Sequence, residues 1–167
     1  MSDERTAHAG EPASARDRTG TNPPRRILVV DDDIFIRQLS TQALKLSGYH
    51  VDAARDGAIA WHVLNTASYD LLITDYGMPQ VSGFALLKKL RSVRIMLPVI
   101  LVSGAIPVEE LDRHPWLQLA ATLLKPFTGD ELLRTVEKVL RATDSAREPF
   151  APTQTWGKPP SADGLRP

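Results

Sequence analysis

The stretch Leu71-Leu72-Ile73-Thr74-Asp75-Tyr76-Gly77-Met78-Pro79 sets the reading of the whole chain. Four residues of strand character run straight into a carboxylate, and a glycine and a proline then stop the strand. This places Asp75 at a strand's carboxyl end. In an open α/β sheet that edge is where ligands bind, so the architecture itself exposes an acidic side chain there. The expectation is that Asp75 is a phosphoacceptor nucleophile. The rest of the sequence must then supply what an aspartyl phosphate needs.

Working outward from this strand, apolar runs alternate with helical patterns. Arg26-Ile27-Leu28-Val29-Val30 is continuous and β-branched, as a central strand covered on both faces should be. After Asp31-Asp32-Asp33, the residues Phe35, Leu39, Ala43 and Leu46 recur at helical spacing as far as Gly48, a natural residue for a helix C-terminus. Tyr49 to Ala53 predicts a short second strand at a sheet edge. A modest helix is expected from about Ala58 to Thr66, with Trp61 and Leu64 facing inward. Beyond the Asp70 to Thr74 strand, Phe84, Leu87 and Leu90 mark one face of a helix whose other side carries Lys88, Lys89 and Arg91.

Pro98 to Val102 is the fourth strand, ending at Ser103-Gly104. Pro107 suits the first position of a short helix through Val108 to Asp112, which Pro115 should stop. Ala121 to Leu124 is the fifth strand. The last helix opens with the capping-box pattern Thr128-Gly129-Asp130-Glu131, and Leu132, Leu133, Val136, Val139 and Leu140 form its apolar stripe. Five strands alternating with five helices predict an α/β fold, a doubly wound five-stranded parallel sheet with helices on both faces.

Composition bounds the rest. The 167 residues fit one domain, and the folded unit is read as 25–143. Residues 1–24 carry almost no large aliphatic side chain and are expected to form a disordered arm, and the polar, Pro-rich 144–167 a disordered tail. The formal net charge is zero, which gives no general pull toward nucleic acid or anionic lipid. There are no cysteines, so disulfides and thiolate metal sites are excluded, and a reducing cytoplasm is the expected location. The polar opening Met1-Ser2-Asp3-Glu4-Arg5-Thr6 leads into no apolar core, so no signal peptide is expected. No apolar run approaches the roughly 18 residues of a membrane span.

Laid side by side, the strands bring four features to one edge: Asp31 and Asp32 after the first, Asp75 after the third, Ser103 after the fourth and Lys125 after the fifth. Clustered carboxylates repel unless a cation sits among them. A hard divalent ion with oxygen ligands answers that need, and magnesium suits because it uses few carboxylates and keeps places for water and phosphate oxygens. A short rotatable donor such as Ser103 can serve one phosphoryl oxygen, and Lys125, a point charge on a long stem, can reach another. The bland readings are that Asp31 to Asp33 simply cap the first helix, that Asp75 to Pro79 is only a strand-to-loop turn, that Ser103-Gly104 is a turn, and that Lys125 is a solvated strand end. Three acids in a row exceed what capping requires. His8, His50, His62 and His114 lack the paired spacing of a metal site.

The arrangement Val29-Val30-Asp31-Asp32-Asp33, Thr74-Asp75-Tyr76-Gly77-Met78-Pro79 with Gly83, Pro98-Val99-Ile100-Leu101-Val102-Ser103-Gly104 and Lys125-Pro126-Phe127 closely resembles the receiver domain of two-component response regulators. The resemblance covers about Arg25 to Thr143. It implies the strand order 2-1-3-4-5. It also implies that Asp75 accepts a phosphoryl group from the phosphohistidine of a sensor histidine kinase or phosphotransfer protein. By the same resemblance Asp32 and Asp75 bind Mg2+ through side chains, Gly77 through its carbonyl and Asp31 through a water. Ser103 is the switch hydroxyl, Lys125 contacts the acyl phosphate, and the Lys125-Pro126 peptide is cis.

Two departures stand out. Thr122 occupies a position, three residues before the lysine, where relatives often carry an aromatic. The short fourth helix is followed by His114-Pro115-Trp116-Leu117, and Trp116 and Leu117 are expected to help form a modified partner-binding face. The sequence thus predicts a stand-alone response regulator, not an enzyme beyond its own phosphoryl acceptance and loss, that signals through protein contacts without binding DNA or membrane. The alternative is a receiver-like interaction module that works without phosphorylation. A phosphatase using Asp75 as nucleophile is less well served, because Tyr76 and Gly77 stand where such enzymes generally want a second acid.

Overall fold

The computed structural model describes residues 23–147; the expected arm and tail otherwise lie outside the described residues. Strands β1 (Arg26–Val30), β2 (His50–Ala54), β3 (Leu71–Asp75), β4 (Val99–Ser103) and β5 (Ala121–Leu124) alternate with helices α1 (Ile34–Leu46), α2 (Gly57–Thr66), α3 (Gly83–Ser92), α4 (Val108–Arg113) and α5 (Gly129–Arg147). A single 3-10 turn, Pro115–Leu117, sits between α4 and β5. The five strands form one parallel sheet in the order β2-β1-β3-β4-β5. The expected fold class is the one observed. α5 continues to Arg147, past the Thr143 boundary read from the sequence, and Asp144 within its last turns pairs with Arg25.

Period-2 alternation divides each central strand between two apolar layers. Ile27, Val29, Leu71, Ile73, Ile100 and Val102 face α1 and α5. Leu28, Val30, Leu72 and Val99 face α2 and α3 and take in Leu117 from the 3-10 turn. β3 and β4 are buried at every position, which is why their sequences read as unbroken apolar runs.

Three sequence readings change. The stripe Phe35, Leu39 and Leu46 on α1 points to solvent, at 78%, 46% and 82% exposed, and the helix buries Ser40 and Leu44 instead. Periodicity identified the helix but not its phase. Arg91, assigned to the solvent side of α3, is buried and donates to the carbonyls of Leu117, Ile95, Leu97 and Gln118. It thereby ties the loop after α3 to the 3-10 turn. Leu117 is core rather than surface, whereas Trp116 is half-exposed.

Local signals held where they were local. Asp33 caps α1, accepting from the Phe35 and Ile36 amides. Thr128 and Glu131 form a reciprocal capping box: the Thr128 amide donates to Glu131 at 2.8 Å and the Glu131 amide to the Thr128 hydroxyl at 3.2 Å. Trp61 is half-buried against α3, with the Lys89 ammonium 4.1 Å from its ring centre.

Candidate functional site

The strand order places the chain's reversal between β1 and β3, so the crevice outside their carboxyl ends is where an open sheet of this kind receives a ligand. Asp31 leaves β1 and Asp75 ends β3 on either side of that crevice. Asp75 is only 7% exposed. Its Oδ1 lies 2.8 Å from the Lys125 ammonium and its Oδ2 accepts from the Gly77 amide at 3.1 Å.

Lys125 comes from the end of β5, two strands away from β3, and its long stem brings Nζ to Asp31 at 2.9 Å as well. Oxygens of Asp31, Asp32 and Asp75 all fall within 4.8 Å of one another. The structure therefore gathers four of the sequence candidates, three carboxylates and one ammonium, into one cluster. Burial pushes the Asp31 carboxyl above the ordinary carboxylate range despite its hydrogen bond from Lys125. For Lys125, burial alone would lower the pKa, but the hydrogen bonds to Asp75 and Asp31 outweigh it and hold the ammonium above its usual value.

One ammonium among three carboxylates leaves the cluster short of positive charge. Oxygen-only donors, two of them buried and one open to solvent, are the set a hard divalent cation uses while keeping its own waters. The residues present fit magnesium on that ground.

Ser103 stands at the same edge, at the end of β4, but its hydroxyl donates to the Ala105 carbonyl at 2.6 Å and accepts from the Ala105 amide at 3.3 Å. It is turned into its own loop, not toward the cluster. The Lys125-Pro126 peptide is cis.

Two contributors escaped the sequence reading. Gly83, which the sequence presents only as one member of a pattern, opens α3 directly against the end of β3. A Cβ there would overlap the Asp75 carbonyl oxygen and stand 2.7 Å from Thr74 Oγ1. Tyr76, which in the sequence is only a neighbour of Asp75, donates its hydroxyl to Glu110 on α4.

Residues 27–137 match the response regulator receiver domain. The probable transcriptional regulatory protein SilR of Salmonella typhimurium is 37% identical over 118 residues, which is 70% of this chain and 51% of that protein. Among solved structures, the receiver domain of the Francisella response regulator 1452 is 34% identical, with a TM-score of 0.65 over 71% of this chain and 98% of that one. The Thermotoga maritima response regulator TrrA, solved in complex with Mg2+ and BeF, is 33% identical, with a TM-score of 0.61 over 69% and 98% of the two chains.

The chain belongs to the response regulator receiver family of two-component systems, whose domains accept phosphoryl groups in signalling. It spans about half the length of the first curated relatives it matches. No helix among the described residues is long and apolar enough to cross a membrane.

Proposed function

We propose that Asp75 accepts a phosphoryl group from the phosphohistidine of a partner histidine kinase or phosphotransfer protein, and that the phosphorylated chain signals through protein contacts. The supporting observation is the placement of Asp75: a nearly buried carboxylate at the ligand edge of the sheet, held on one oxygen by Lys125 and on the other by the Gly77 amide. In the transfer a carboxylate oxygen of Asp75 attacks phosphorus, the P–N bond to the donor imidazole breaks, and the imidazole leaves with the bonding pair. The product is an acyl phosphate, labile enough for a signal that must decay.

The chain's residues divide the work. Lys125 pairs with a phosphoryl oxygen as its contact to Asp75 loosens, and its second carboxylate, Asp31, keeps the ammonium in place during that exchange. Ser103 exchanges the Ala105 carbonyl for a phosphoryl oxygen, trading a neutral hydrogen bond for a charge-assisted one. Asp31, Asp32 and Asp75 with the Gly77 carbonyl are the ligands proposed for Mg2+. When bound, the ion offsets the charge of the incoming dianion. On this reading residues 25–143 are the signalling unit and the protein works in the cytoplasm.

The test is incubation with Mg2+ and a small acyl-phosphate donor, followed by intact mass. The expected result is a single phosphoryl adduct on the wild type that is absent from Asp75→Asn. An unmodified wild type, or an adduct that persists in Asp75→Asn, overturns the reading. The first of these outcomes supports a module that works without phosphorylation.

A further inference from the structure

α4 is the helix held least firmly among those described. It buries none of its residues and has no side-chain N-cap, whereas α1, α2, α3 and α5 each bury two or more. Leu111 gives it a half-buried apolar contact with the layer below. Its side-chain hydrogen bond to the end of β3 is the one that Tyr76 donates to Glu110.

The same residue begins a run of rings. Tyr76 meets Phe84 edge to face with centroids 6.0 Å apart, Phe84 meets His114 at 5.6 Å, and His114 meets Trp116 at 6.0 Å. All three lie within the range of favourable aromatic pairs. His114 Nδ1 also sits 2.8 Å from the Glu110 carbonyl oxygen, so the hydrogen bond and the ring contacts converge on one turn of chain. The run starts beside Asp75 and ends at an indole that is 49% exposed. On β5, by contrast, Thr122 offers no ring.

We infer that Tyr76 is a positioning residue that transmits the state of Asp75 to Trp116, through its hydroxyl on Glu110 and its ring on Phe84. This rests on Asp75 being the phosphoacceptor. The Tyr76 amide is fixed to the Val102 carbonyl at 2.7 Å, so the strand end stays put and the adjustment falls on the Tyr76 side chain and on α4. A phosphoryl group brings roughly −1.5 to −2 of charge to the neighbouring residue. Glu110 is a carboxylate on a helix with nothing buried to anchor it, so repulsion displaces it at little packing cost. His114 and Trp116 follow because they are attached to that turn.

The test uses the full chain carrying Trp61→Phe and Trp156→Phe, which leaves Trp116 as the sole indole. Emission wavelength and acrylamide quenching are recorded before and after Mg2+ with acetyl phosphate, and intact mass measures the adduct in the same samples. The expected result is a Trp116 shift on phosphorylation that is lost in Tyr76→Phe and Glu110→Leu at undiminished adduct yield. Glu110→Gln, which keeps an acceptor oxygen but carries no charge to be repelled, should lose it as well. A parental shift that survives in either Tyr76→Phe or Glu110→Leu overturns the inference. So does an adduct formed on the parent with no shift, which leaves the role of Asp75 intact. A parent that forms no adduct overturns the reading of Asp75 and this inference with it. Glu110 lies on a short surface helix, so its variants keep the test decisive should Tyr76→Phe unfold.

Discussion

Gly83 shows how a single missing methyl group lets two elements share one place. α3 begins against the carbonyl of Asp75, and the space where a side chain would start is filled by Asp75 and Thr74 backbone and hydroxyl atoms. Backbone on both sides gives such an overlap little room to relax, so Gly83→Ala is expected to cost about 3 kcal/mol, the upper part of the range for overpacking. Adduct yield should fall as well, because the shift needed moves the Asp75 carbonyl. Gly104→Ala is the matched control, since nothing lies within 4 Å of a Cβ there. Urea denaturation of the two variants tests this, and equal midpoints would refute it. Gly83 could be seen in the sequence only as a member of a pattern, because its partner is eight positions away in chain and meets it only after folding. The Thr128 and Glu131 capping box was legible in full, since both its hydrogen bonds close within one turn.

At the scale of elements, the strands were the easiest to read and the helix faces the hardest. Burial on both sides leaves β3 and β4 apolar at nearly every position, so their type and extent follow from composition alone. A helix must also choose a phase. On α1 that choice follows from the Asp33 cap and the sheet beneath, which together turn Leu44 inward and leave Phe35 and Leu39 one turn apart in solvent. Arg91 was misplaced for a related reason: its charge suggested solvent, while four backbone carbonyls from two connections await it inside. Phe35 stands three residues beyond Asp32, close to the acidic edge, and exposed apolar side chains grouped on one face mark a contact surface. Phe35→Ala is therefore expected to slow transfer from a phosphohistidine protein by ~10-fold, the effect of losing most of one buried aromatic, ~1.5 kcal/mol. Phosphorylation by acetyl phosphate, which needs no docking, should keep its wild-type rate. Equal slowing with both donors would place Phe35 in the chemistry and sink the docking role.

Across the whole molecule, the two ends of the sheet carry opposite electrostatic designs. The carboxyl end concentrates acids around one lysine, and burial raises Asp31, so that group favours the fold less as pH climbs through its titration. The amino end is satisfied. Arg26 and the Tyr69 hydroxyl both donate to Asp52, at 2.9 and 2.7 Å, and the Arg26 guanidinium lies 4.9 Å from the Tyr69 ring centre. This joins β1, β2 and the connection into β3 at the end away from the site. Burial and the Asp52 carboxylate push the Tyr69 phenol up to about 12, against an ordinary value of 10.0. Between those values the folded chain keeps a proton that the unfolded chain has lost, so stability must fall as pH rises through the interval and level off above it. Tyr49, Tyr76 and Lys125 are raised too and add to the decline. Tyr69→Phe removes one titrating group together with its hydrogen bond to Asp52. The variant should be less stable than the wild type near neutrality, and the gap between them should narrow from pH 10 to 12. Urea denaturation at a series of pH values measures both curves. A gap that stays constant across that interval would show that Tyr69 does not hold its proton through the fold.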